Sequence, residues 1–365
     1  MITKEAVIEA LSQVQEPDLG KDLVTLNMVK DIAIDGKNVS FTVVLTTPAC
    51  PLKDMIEKAC VNAIRLLVDK EAVVTVNMTA NVTNNRKDNK AMLPGVRNII
   101  VVASGKGGVG KSTVSVNLAI ALAQEGAKVG LLDADIHGPS IPMMLGMRDE
   151  RPQMTEIDGK GMIVPLERYG IKAMSIGLLI DEKQAVIWRG PQASSALKQF
   201  ITDVYWQDLD YLVIDLPPGT GDIHLTLVQT VPITGAVIVS TPQAVASADA
   251  KKAIMMFKQP QINVPILGIV ENMAYFTPQE LPENKYYIFG KGGAKKMADQ
   301  FDLPFLGEIP IVQSIREGGD TGIPAVVNDD QVSKDAFISI AGKVAQNIAI
   351  RNANMEPTKV VEMMN

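Results

Sequence analysis

One run of nine residues restricts this chain more than any other: Gly105-Lys106-Gly107-Gly108-Val109-Gly110-Lys111-Ser112-Thr113. An apolar stretch, residues 98–103, precedes it and reads as a buried strand; residues 114–124 follow it and read as a helix. Between a strand and a helix, such glycines let backbone N–H groups wrap a polyphosphate, and the helix N-terminus adds positive potential. Gly105, Lys106, Gly107, Gly108, Val109, Gly110, Lys111, Ser112 and Thr113 are therefore the expected cradle for ATP. Lys111 is expected at the β- and γ-phosphates and the Ser112 hydroxyl at Mg²⁺. A glycine-rich turn with no ligand is the alternative; the full pattern and both flanks argue against it.

The chain after residue 96 repeats strand and helix. Apolar runs at 98–103, 128–132, 211–214, 236–240 and 266–270 are nearly continuous, as strands are when helices cover both sheet faces. The fold class predicted is α/β, a mainly parallel, doubly wound sheet that presents ligands at the carboxyl ends of its strands. Asp215 ends one apolar run, and packing alone does not explain a carboxylate there; it fits a residue that holds Mg²⁺ through water. Asp133-Ala134-Asp135 ends another run.

The first 80 residues form a separate pattern. Thr3 can cap a helix over residues 4–14. Asp35-Gly36 lies between β-rich runs at 29–34 and 38–46, a hairpin signal in which both turn residues take positive φ. Apolar residues from Leu52 to Leu67 recur at helical spacing, and 72–78 reads as a strand. The organisation predicted is a small α+β domain at 1–80, a polar solvated linker at 81–95, a P-loop domain at 96–350 and a polar tail at 351–365, poorly ordered from about Ala349. A chain of 365 residues, longer than one core usually takes, agrees with two domains.

Composition removes several classes. A net charge of −6 gives no global attraction to nucleic acid or an anionic membrane. Residues 1–10 lack a signal pattern, and no apolar run nears the roughly 20 residues of a membrane helix. Two cysteines make no disulfide framework. Flanking one helix, Cys50 and Cys60 are separated by roughly 15 Å of rise, against the limit of about 7 Å for a disulfide. The expected setting is the cytoplasm or another reducing compartment.

Lys106, an extra lysine at the start of the loop, resembles the deviant Walker-type family of MinD, ParA and the nitrogenase iron protein. The resemblance implies a homodimer in which Lys106 reaches the partner's nucleotide, Asp135 as the switch I aspartate that positions water, and Asn272 as the adenine-reading asparagine. A surface lysine and a loop asparagine satisfying backbone are the plain readings of Lys106 and Asn272. Pro217-Pro218-Gly219-Thr220-Gly221-Asp222 looks like switch II. Together with 133–140 and Trp188-Arg189-Gly190-Pro191, it resembles the Mrp/ApbC family of iron–sulfur cluster carriers. Glu16-Pro17-Asp18-Leu19 and Thr46-Thr47-Pro48-Ala49-Cys50-Pro51 resemble the small domain of iron–sulfur assembly factors. These resemblances cover about residues 1–345 and imply client apo-proteins or assembly proteins as partners.

The chain departs from the carrier pattern at one place. The family's Cys-x-x-Cys pair follows the segment equivalent to 271–276; here 277–290 holds no cysteine, and neither does any residue from 96 onward. Two such pairs across a dimer would give four thiolates for a cluster. Cys50, before Pro51, would sit at a helix N-cap, where the dipole favours thiolate; it is the candidate ligand for a labile iron–sulfur cluster, or else a small packed residue. Cys60 reads as core. His137 and His224 read as hydrogen-bonding residues beside the switches. The function expected is an ATP hydrolase acting in iron–sulfur cluster assembly or transfer; the alternative is a MinD/ParA-like switch or scaffold that positions a protein partner and carries no cluster.

Overall fold

A computed structural model describes residues 2–86, 92–180, 190–278, 280–281 and 283–361. They form two compact units, Met1–Asn84 with Ala345–Glu356, and Asn85–Val344 with Pro357–Asn365.

In the small unit the Thr3 hydroxyl oxygen accepts the Ala6 N–H (3.2 Å) and starts α1 (Lys4–Leu11), which closes at Ser12 instead of running to residue 14. Two short strands, β1 (Gln15–Glu16) and β2 (Lys21–Asp22), pair antiparallel. β3 (Val29–Asp35) and β4 (Asn38–Leu45) make the expected hairpin with Asp35 opposite Asn38. The turn residues are therefore Gly36 and Lys37, and of Asp35 and Gly36 only the glycine takes positive φ (59°). Glycine at the first central position is what a type II′ turn needs, so the positive φ expected for Asp35 is unnecessary. α2 (Lys53–Leu67) crosses back and sets β5 (Val73–Ala80) parallel to β4. Its Ile56, Cys60 and Ile64, four apart, enter the core with Leu11, Phe41 and Val43.

The large unit carries β6 (Val96–Ala103), α3 (Lys111–Gln124), β7 (Val129–Asp133), α4 (Ile141–Met144), β8 (Gln153–Ile157), β9 (Lys160–Val164), β10 (Leu166–Arg168), β11 (Ile171–Ser175), α5 (Gly190–Thr202), β12 (Leu209–Asp215), α6 (Asp222–Thr230), β13 (Gly235–Ser240), α7 (Ala244–Phe257), β14 (Ile266–Glu271), α8 (Gly293–Phe301), β15 (Phe305–Glu308), α9 (Gln313–Thr321) and α10 (Gln331–Asn354). Eight strands form one sheet in the order β10-β11-β7-β12-β6-β13-β14-β15. All its pairings are parallel except β10 with β11. Every residue of β12 and β13 is buried, the signature of helices on both faces.

Two sequence expectations change. The 81–95 stretch is not uniformly solvated: Val82 and Leu93 are buried, and Leu93 joins the large core. The Arg86 guanidinium donates to the carbonyls of Met92 (2.9 Å), Leu93 (3.0 Å) and Val96. Five backbone-seeking donors on one planar group let a polar residue organise chain that composition marks as loose. The tail expected to loosen at Ala349 is helical to Asn354. Residues 345–356 group with the small unit rather than with a domain ending at 350. There Asn352 Nδ2 donates to the Thr83 carbonyl (3.1 Å) and Gln346 Nε2 to Asp18 Oδ1 (2.6 Å).

Candidate functional site

The site is set by sheet register. β6 is central, with β12 on one side and β13 on the other. Asp215, the last residue of β12, lies opposite Val102 of β6 and Asp133 of β7, and Ser175 of β11 lies opposite Asp133. One row across the carboxyl edge thus brings Ser175, Asp133 and Asp215 beside the loop that leaves β6. Two loop glycines are required by close approach. A Cβ on Gly105 would fall 1.9 Å from the Asp249 carbonyl carbon of α7; on Gly110, at φ 80°, it would fall 2.1 Å from Asn272 Nδ2.

Lys111, the first residue of α3, is only 6% exposed, and its Nζ lies 2.8 Å from Asp215 Oδ2. Ser112 Oγ donates to the same oxygen (2.6 Å) and Ser115 Oγ to Oδ1 (2.6 Å). Both carboxylate oxygens are thus engaged at zero exposure. Asp133, also fully buried, accepts from Ser175 Oγ (2.9 Å) and the Asp135 N–H (3.1 Å). Burial, then the Asp215 charge, pushes the Asp133 carboxyl up to about 7, against Ser175 and Lys111. Asp135 is half-buried; burial raises its pKa, Lys111 opposes this and Asp215 adds to it. The structure therefore brings Lys111, Ser112, Asp133, Asp135 and Asp215 into one electrostatic cluster.

Lys106 is exposed, and its carbonyl accepts from Ser104 Oγ (3.0 Å). Asn272 Nδ2 donates to the Val109 carbonyl (2.8 Å), so its amide braces the loop. The segment 217–222, expected as switch II, is tied to the loop by the Gly219 N–H on the Ser104 carbonyl (2.9 Å). Gly190, the start of α5, sits so close to Asp222 that a Cβ would meet its Oδ2 at 3.2 Å; Trp188 and Arg189 lie outside the described residues.

Lys111, expected at phosphate, is in addition the counter-ion of Asp215. Several other expectations are corrected. His224 is buried, yet neither ring nitrogen has a hydrogen-bond partner among the described residues, and burial, then the Lys111 charge, holds its pKa down at about 4. His137 is exposed. Cys50 is not an N-cap: that place is taken by Leu52, and Cys50 offers its carbonyl to the Lys53 N–H (3.3 Å). Burial pushes the Cys50 thiol up; the Leu52 N–H opposes this, and Asp18 and Glu16 reinforce it. The dipole argument for a stabilised thiolate therefore fails, although the two small-domain motifs do meet. Cys60 is core, its thiol pushed up to about 12. Both cysteines are free.

Sequence reasoning missed Ser115, Ser175 and Glu271. A serine inside the mostly apolar 114–122 run, whose other polar residue is Asn117, and another closing the strand 171–175, were the available signals. Glu271 accepts from the N–H groups of Gly292 (3.1 Å) and Ala294 (2.6 Å), 21 and 23 residues on, and so caps α8 from a distance that no local pattern announces.

Residues 95–345 match the NUBPL iron-transfer P-loop NTPase family, and residues 4–78 match the iron–sulfur cluster assembly protein family. An iron–sulfur cluster carrier protein of Synechocystis sp. is 48% identical over 352 residues, 96% of this chain and 99% of its own. One from Deinococcus radiodurans is 44% identical over 357 residues, 98% and 99% of the two chains. Among solved structures, a nucleotide-binding protein from Archaeoglobus fulgidus in complex with ADP shares 40% identity, with a TM-score of 0.57 over 66% of this chain and 94% of that one. With likeness of this degree along nearly its whole length, the chain belongs to the iron–sulfur cluster carrier family of P-loop NTPases.

Proposed function

We propose that the chain hydrolyses ATP in a homodimer and uses the cycle to assemble iron–sulfur clusters or pass them to client apo-proteins in the cytoplasm. The observation that carries the nucleotide part is the Lys111–Ser112–Asp215 cluster beneath the loop. Ser112 Oγ and Asp215 Oδ2, hydrogen-bonded to each other, are hard oxygen donors of the kind Mg²⁺ takes, the hydroxyl directly and the carboxylate through water. When bound, the ion neutralises charge on the β- and γ-phosphates. The residues Gly105 to Thr113 hold the phosphates through backbone N–H groups, and Lys111 exchanges Asp215 for phosphate oxygen. Asp135 orients the attacking water. Lys106, whose side chain is exposed, reaches the nucleotide of a second copy. Asn272 braces the loop with its Nδ2 and reads adenine through its Oδ1.

The cluster is cargo. Among the described residues no group of three or more His, Cys, Asp or Glu side chains is arranged to hold a metal ion. Cys50, half-buried beside Asp18 and Glu16, is the accessible thiol, and the remaining ligands come from its copy, an exogenous thiol or the client.

The test is Mg²⁺-dependent ATP turnover by the purified chain, with Asp135→Ala as the probe. The variant is expected to bind ATP within about threefold of wild type while turnover falls by about 100-fold, the pattern of a lost transition-state interaction. Unchanged turnover would remove Asp135 from the mechanism, and a wild type without turnover would remove the hydrolase reading.

A further inference from the structure

α6 begins at switch II and ends at a proline. Four residues beyond Val228 stands Pro232, which has no N–H, so the Val228 carbonyl cannot be satisfied within the helix. The donor comes instead from far along the chain: the Val361 N–H reaches the Val228 carbonyl at 3.0 Å. The Val361 side chain packs against the large core. Three residues earlier, the Thr358 N–H donates to the Asn85 carbonyl (3.1 Å), and Thr358 pairs in parallel with Arg86. Arg86 in turn grips the carbonyls of Met92, Leu93 and Val96, the last being the first residue of β6.

The segment 358–361 therefore bonds switch helix α6 at one end and the linker at the other. All of these residues belong to the large unit. Residue 85 directly follows the last linker residue of the small unit.

The other end of α6 is poised to move. Its N-cap is Gly221, and Gly219 takes φ 93°, a conformation that favours glycine. In its first turn His224 is buried with both ring nitrogens unpartnered among the described residues, so this packing of the first turn carries the cost of unsatisfied polar groups. The Lys111 charge acts on that same imidazole; a lysine that changes partner from Asp215 to phosphate changes the field at α6.

We infer that the C-terminal segment 358–361 is a strap that transmits the nucleotide-dependent position of α6 to the linker preceding β6, and so to the chain leading into the small unit. The inference rests on the nucleotide reading proposed above. It requires a two-state element biased at one end and bonded at the other; the strap supplies the bonds, and the nucleotide-dependent shift of α6 is the part inferred.

The test uses the full chain, hydrogen–deuterium exchange over residues 82–96, and a non-hydrolysable ATP analogue with Mg²⁺, with analogue affinity measured separately by calorimetry. Wild type is expected to change exchange in 82–96 at least threefold on binding. Val361→Pro, which deletes the donor to Val228, is expected to bind within about twofold of wild-type affinity and to lose that response; Val361→Ala, which keeps the N–H, retains it. Thr358→Pro, which deletes the donor to Asn85, gives the same loss and serves if Val361→Pro does not fold. Binding without a linker response in the wild type, or a full response in a folded proline variant, overturns the strap while leaving the nucleotide site standing. A wild type that binds no analogue overturns the nucleotide reading and the strap with it.

Discussion

Lys111→Met separates the structural role of this lysine from its role toward phosphate. In this structure the ammonium neutralises Asp215 at 2.8 Å, and Asp215 faces Asp133 across one strand step. Removing one partner of a buried ion pair typically costs about 3–5 kcal/mol. Here part of that cost is relieved, because Asp133 can take up a proton. Its pKa is already raised with Lys111 present, and losing the lysine, which opposes that rise, raises it further. A carboxyl whose folded pKa is raised binds more protons folded than unfolded, so stability falls as pH rises. The variant is therefore expected to lose about 3 kcal/mol in urea unfolding at pH 8 and about 1–2 kcal/mol at pH 6. The double variant Lys111→Met with Asp215→Asn removes both charges and should regain most of the loss, giving a coupling above about 1.5 kcal/mol. ATP binding stays lost in both. Wild-type stability of Lys111→Met at pH 8, or a double variant weaker than the single one, would refute the argument.

Two further outcomes follow from buried groups. His224 is neutral when folded, at a pKa near 4 against 6.5 for the free side chain; the unfolded chain binds its proton first, so this stability is present above about pH 6.5 and is lost as pH falls toward 4, roughly 3 kcal/mol in all. His224→Leu should flatten that part of the unfolding-versus-pH curve, and an unchanged slope would count against the burial. Cys60→Ser places a hydroxyl in the small core and should destabilise that unit by about 1–3 kcal/mol in thermal unfolding, whereas Cys50→Ser, half-buried, should cost less than about 1 kcal/mol; equal losses would mean that the two sites are not packed as described.

The nucleotide loop was legible because its glycines, lysine and serine lie within nine residues and are bracketed by a strand and a helix. Asp215 was legible because a carboxylate ending an apolar run is anomalous. What binds Asp215 was not: Ser115 and Lys111 meet it only through strand register and helix phase. The last turns of α10 read as loose tail because Arg351 and Asn352 are polar. They are ordered by long-range bonds, Arg351 Nη2 to the Glu356 carbonyl (2.6 Å) and Asn352 to Thr83, and a local window sees only their polarity. Cys50 was misplaced for a related reason: Pro51 signals a helix start within about two residues, and α2 begins at Lys53. Two residues decide whether a thiol feels a helix dipole or a buried acidic loop.

Cluster handling by an ATPase whose accessible thiol is Cys50 is tested most directly by anaerobic reconstitution with ferrous iron and sulfide, read by iron and sulfide content and by visible absorption. Wild type is predicted to take up both, and Cys50→Ser to take up neither while keeping ATP turnover. A stoichiometric cluster on Cys50→Ser would contradict the ligand assignment, and a wild type that takes up no iron would contradict the carrier function, leaving an ATP-driven switch that positions a protein partner.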